Sequence, residues 1–96
     1  MTTKFIKFEF KSSDIDQFSL IIQKSNDDDF HEEMVSNPQN FSLESNVEYV
    51  YMLRVKGNSG DKCELVISGA SKARSPVKRK INAGQNSDTY LDLLIA

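Results

Sequence analysis

The sequence predicts an all-β chain, a two-sheet antiparallel sandwich of about seven or eight short strands with immunoglobulin-like architecture. Three observations carry that expectation. Apolar residues alternate with polar ones at period two through much of the chain. Turn-forming clusters of Gly, Asn, Asp and Ser break the alternation at intervals of roughly 8–12 residues, the spacing of all-β folds. Segments with a helical period are scarce.

The elements follow in order. In Lys4–Lys11, Ile6, Phe8 and Phe10 share one parity and Lys7, Glu9 and Lys11 the other. Side chains of a strand point to opposite faces in turn, so this segment reads as a strand with one wet face. Phe18, Leu20 and Ile22 repeat the pattern with Ser19 and Gln23 outward, and Phe41 and Leu43 flank Ser42 in a shorter version. In Val47–Lys56 one parity is Val47, Tyr49, Tyr51, Leu53 and Val55. The other parity is apolar only at Val50 and Met52, as in a central strand covered on both faces near its middle. Cys63, Leu65 and Ile67 form the next run, and Leu91, Leu93 and Ile95 the last, alternating with Tyr90, Asp92 and Leu94.

Between the runs lie Ser12–Asp14, Ser25–Asp29, Asn37–Pro38, Gly57–Gly60, Gly69–Ser71 and Ala83–Ser87. Gly supplies positive φ, and Asn, Asp and Ser bond their own backbone, which interrupts strand ladders. The Gly57–Gly60 segment is expected to close a hairpin between the strands ending near Lys56 and starting near Lys62. Residues 28–35 are read first as a loop or irregular strand. A two-turn helix capped by Asp27 or Asp28, with Phe30 over Met34, is the alternative. The expected core is Phe8, Phe10, Leu20, Ile22, Tyr49, Tyr51, Leu53, Leu65, Ile67, Leu91 and Leu93.

Composition narrows the function classes. Ninety-six residues make one domain, 1–96, with 12 Lys and Arg against 14 Asp and Glu, a net charge of −2. One cysteine forms no internal disulfide, and the charged N-terminus lacks the apolar stretch of a signal peptide. No apolar run approaches the roughly 18–20 residues of a membrane span. A cytoplasmic location is expected. From the initial Met and the apolar end Leu94-Ile95-Ala96 a complete small protein with a docked last strand is expected. There is no Trp, so the Cys…Trp…Cys hallmark of antibody domains is absent.

Two charged runs are candidate sites. The acidic run holds Asp27, Asp28, Asp29, Glu32 and Glu33 around Phe30 and His31. Hard cations such as calcium take six to eight oxygens, so clustered carboxylates are suitable ligands in kind. The run lacks the alternating Asp/Asn and the Gly of a calcium loop, and adjacent side chains on an extended chain diverge. A solvated loop is the plainer reading. The basic run, Lys72–Lys80, offers Arg74, Lys78, Arg79 and Lys80 for a partner or an anion. Its Ser75-Pro76-Val77-Lys78 also resembles the site of proline-directed kinases. Lys and Pro on an edge strand, however, also discourage other sheets from adding to it.

Catalysis has little to work with. His31 and Cys63 are the only Cys-His pair available, and Cys63 shares the parity of Leu65 and Ile67, the place of a buried apolar residue. A structural zinc lacks its four nitrogen or sulfur ligands, and Gly57–Gly60 lacks the Lys and helix of a phosphate loop. Net charge and the lack of interleaved aromatic and basic residues speak against nucleic acid. No cofactor is expected. The leading expectation is therefore a non-enzymatic binding module, acting through loops or an exposed strand edge on a protein partner or as a homo-oligomer. A calcium- or carbohydrate-binding module using the acidic 27–33 loop, with Tyr rings available for sugar, is the alternative.

Overall fold

A computed structural model describes residues 2–15 and 17–96, with the side chains of residues 27–30 outside that description. Eight strands follow one another: β1 (Thr3–Lys11), β2 (Gln17–Lys24), β3 (Asp27–Glu33), β4 (Gln39–Glu44), β5 (Glu48–Lys56), β6 (Lys62–Ser68), β7 (Val77–Lys80) and β8 (Ser87–Ile95). They form two four-stranded sheets, β4-β1-β6-β7 and β3-β2-β5-β8. Every pairing is antiparallel. The predicted sandwich is therefore the fold, compatible with immunoglobulin-like architecture.

The alternating side chains meet between the sheets, as amphipathic strands require. Ile6, Phe8 and Phe10 of β1 face Leu20, Ile22, Tyr51 and Leu53 of the other sheet, and all are buried. Aromatic rings join the layers. Phe8 lies edge-on to Phe41 at 5.3 Å and to Tyr51 at 5.7 Å, while Phe10 stacks on Phe18 at 4.1 Å. Edge-to-face and offset contacts suit the quadrupoles of these rings. At the end of β1 the side-chain amide of Asn37 acts as a missing strand, accepting from Phe10 N at 2.9 Å and donating to Phe10 O at 2.8 Å.

Three local expectations need correction. Gly57–Gly60 closes no hairpin, because β5 pairs with β2 and β8 while β6 pairs with β1 and β7. The loop carries the chain from one sheet to the other. Both flanking strands have one apolar parity, and facing across the core covers both at once. The Asp61 carboxylate accepts from Asn58 N at 2.8 Å and secures this crossover, with Gly60 at φ 89°.

For residues 28–35 the first reading, an irregular strand, holds over Asp27–Glu33 and its helical alternative fails: β3 is an edge strand on β2, with a register shift between Gln23 and Lys24. A polar run beside an unpaired sheet edge gains ladder hydrogen bonds there that an isolated two-turn helix lacks the length to keep.

The third correction concerns β8. Leu91 is 62% exposed and Leu93 49%, whereas the core set is otherwise buried. The inward parity is Asp88, Tyr90, Asp92 and Leu94, of which only Leu94 is fully covered. Hydropathy alone points the leucines inward. Arginines from the facing sheet and its loop reverse that choice, as the site geometry makes plain.

One glycine is indispensable to the loop over β1. Gly69 has φ 93°, and a Cβ there would lie 2.8 Å from the backbone oxygen of Phe5. The left-handed conformation and the close approach both require a residue without a side chain.

Candidate functional site

The structure presents two surfaces of opposite character, joined by a polar clamp along one side of the sandwich. The first is the outer face of the β3-β2-β5-β8 sheet. Strand register arranges it as a grid. One row reads Glu33, Ile21, Met52, Leu91 across the four strands, and the next reads His31, Gln23, Val50, Leu93. The rows that flank these contain Arg54 opposite Thr89 on one side and Glu48 opposite Ile95 on the other. Five apolar side chains thus lie together, bordered by charge. Such a contiguous patch rimmed by polar groups marks an interaction surface more often than a solitary exposed leucine does.

The β8 edge lies beside it. Ile95 exchanges both backbone bonds with Lys72, so its N–H and C=O point away from β5. By alternation those of Leu93, Leu91 and Thr89 do likewise. Leu93 N donates to its neighbour's carboxylate, Asp92 Oδ1, at 2.8 Å. That bond leaves a short stretch at Thr89 and Leu91 as the open part of the edge, with nothing paired to it among the described residues.

The clamp explains why β8 turns its aspartates inward. Arg79, on β7 of the facing sheet, makes a two-pronged bond to Asp88, Nε to Oδ2 at 2.8 Å and Nη2 to Oδ1 at 3.0 Å. Its guanidinium also sits 5.0 Å above the Tyr90 ring centre. Fork geometry and stacking together are an arginine speciality. Tyr90 donates its hydroxyl to Asp92 Oδ2 at 2.8 Å, and Arg74 reaches the same hydroxyl at 3.5 Å.

Burial raises the Asp92 carboxyl, but the Leu93 N–H, the Tyr90 hydroxyl and the charge of Arg74 outweigh it and hold the group below the usual carboxylate range. Burial pushes the Tyr90 hydroxyl up, helped by its bond to Asp92. Beneath them the Tyr51 hydroxyl is buried with no hydrogen-bond partner among the described residues, and burial drives its ionisation far above the ordinary range.

The second surface is basic. A shallow cleft of about 750 Å³ on the other sheet is lined by Lys11, Lys62, Lys78 and Lys80, with Ser12 and Glu64 among them. Lys62 and Lys80 are directly opposed across β6 and β7. Like charges in that position repel. Glu64 offsets part of this charge, lying 4.0 Å from Lys78 and opposite Lys11 in the strand register. The cleft can accept an anionic group, and it also guards the β7 edge against added strands.

The sequence-predicted residues are thus distributed unevenly. Lys78 and Lys80 stand together on the basic face, while Arg79 and Arg74 point to the clamp on the opposite side of β7. Lys11 and Lys62 complete the cleft from β1 and β6, and only the cross-strand register reveals them. Asp27, Asp28 and Asp29 lie on β3 with side chains outside those described. Glu32 and Glu33 are both exposed. Being adjacent in a strand, they point to opposite faces. Among the described residues no three His, Cys, Asp or Glu side chains converge on a metal site.

His31 is exposed on β3 of one sheet and Cys63 buried on β6 of the other, so the fold does not bring the pair together. Burial pushes the Cys63 thiol up, Asp88 adds to the effect and Arg79 opposes it. That leaves the group a poor nucleophile. No family model, no curated protein and no solved structure matches this chain.

Proposed function

We propose that this chain is a non-enzymatic binding module that engages a protein partner through the outer face of the β3-β2-β5-β8 sheet and the adjoining edge of β8. The exposed pair Leu91 and Leu93 carries this reading. A strand that turns two aspartates inward to arginine partners, and so two leucines to water, departs from its local hydropathy pattern. Such departures concentrate at functional sites. Apolar side chains at the centre with Glu33, Glu48 and Arg54 around them follow the anatomy of protein interfaces, an apolar core within a polar rim.

The test uses a photo-crosslinking amino acid at Thr89, beside the patch, in extracts of cells that express the protein. Protein adducts are expected there, and few at Lys7 on the opposite face. The double substitution Leu91→Lys/Leu93→Lys should abolish the adducts while changing folding stability by less than about 1 kcal/mol, since both side chains are already in water. Equal crosslinking from the two faces, or adducts that survive the double substitution, would refute the reading.

A further inference from the structure

The grid on this face is self-complementary, and from it we infer that the partner is a second copy of the same chain, packed face to face about a two-fold axis. The inference rests on the outer sheet face being a protein-binding surface and goes on to specify its occupant. A two-fold axis lying in the interface, across the strands and midway between the two central rows, turns each row onto the other. The consequences follow from register alone. Leu91 meets Leu93 of the second copy, and Met52 meets its Val50. The flanking rows exchange in the same way, so Arg54 lies over Glu48 of the second copy and Glu48 over its Arg54. At the β3 side Glu33 comes onto His31 of the second copy.

An axis running along β5 would instead stack that strand on itself, with Glu48 against Glu48 and Arg54 against Arg54, and one between β2 and β5 would lay Leu91 on Glu33 of the second copy. Charge therefore selects one orientation over the other, in the manner in which interfaces fix register. Sheets packed face to face cross at about 30° because each is twisted. A crossing of that size leaves the central rows in contact and the outer charges within electrostatic reach.

Size sets the strength. Four strands at roughly 4.8 Å spacing and about 30 Å of strand length make a face of about 600 Å² per copy. Two such faces cover about 1,200 Å², the low end for specific interfaces, the range of weak and transient contacts. The dimer should thus form and dissociate with concentration.

Sedimentation equilibrium from about 5 μM to about 1 mM reads this directly. The mass should rise from 10.9 kDa toward twice that value. Glu48→Arg alone and Arg54→Glu alone each set like charges face to face twice per dimer and should weaken association at least about tenfold. The combined Glu48→Arg/Arg54→Glu chain restores both contacts and should return to within about threefold of the parent. Both positions are exposed, so the variants keep their fold.

A single species of 10.9 kDa throughout overturns the second copy, and a combined variant no better than the singles overturns the two-fold arrangement. Crosslinks from Thr89 to other polypeptides by a monomeric chain would overturn the second copy while leaving the contact face standing. Their absence as well would remove both.

Discussion

Phe8→Ala is expected to remove about 4 kcal/mol of folding stability, a loss typical of an aromatic side chain deleted from a packed core. Phe8 is fully buried on β1, and its ring touches Phe41 within its own layer and Tyr51 across the sandwich. No neighbour can collapse into the space without separating the sheets, so the cavity persists. A chain of this length has roughly 5–14 kcal/mol in total, so the variant sits near the limit of folding. Phe8→Leu keeps most of the volume and should cost about 1–2 kcal/mol. Urea unfolding measures both. A loss below about 1.5 kcal/mol for the alanine variant would mean that the layers are not joined through this ring.

Arg79→Ala is expected to cost about 2 kcal/mol, between the small effect of a surface pair and the 3–5 kcal/mol of a fully buried one. The intermediate value follows from exposure: 35% for the Arg79 side chain and 11% for that of Asp88. Most of the loss is the Asp88 carboxylate left largely covered without its cation. Asp88→Asn in the Arg79→Ala background should therefore recover part of it, because the stranded charge is gone. Arg79→Lys keeps the charge but not the fork or the stacking on Tyr90, and should fall between. If Arg79→Ala cost less than about 0.5 kcal/mol, the clamp would not be what turns the aspartates of β8 inward.

The same residues mark where the fold was legible in the sequence and where it was not. Alternation placed Ile6, Phe8 and Phe10, then Leu20 and Ile22, then Tyr49 through Val55, correctly on buried faces. Over Ile6–Phe10, Leu20–Ile22 and Tyr49–Val55 the buried parity holds no charged residue, so hydropathy and packing agree. In β8 they disagree. Asp88 is satisfied by Arg79 of the facing sheet, and Asp92, bonded within β8 by the Tyr90 hydroxyl and the Leu93 N–H, feels the charge of Arg74, so that both arginines come from outside the strand.

No window of β8 alone contains that information. The Gly57–Gly60 crossover was missed for a related reason. A short Gly-rich loop fits a hairpin locally, and only the competition among all eight strands for partners assigns β5 and β6 to different sheets. The basic cleft was half visible. Lys78 and Lys80 lie in a basic run, but Lys11 and Lys62 join them through register across β1, β6 and β7.

What the function reading and the dimer share is the direction in which β8 faces, and methyl NOE spectroscopy of the labelled protein tests it most directly. Neighbours on one sheet face have Cβ atoms about 4.5–5.5 Å apart, well within NOE range. The account predicts strong contacts between the methyls of Leu91 and Met52 and between those of Leu93 and Val50, with Leu91 and Leu93 silent toward the rings of Phe8 and Tyr51. Contacts from Leu91 or Leu93 to those core rings would show that the leucines point inward after all, and the contact face would be lost with them.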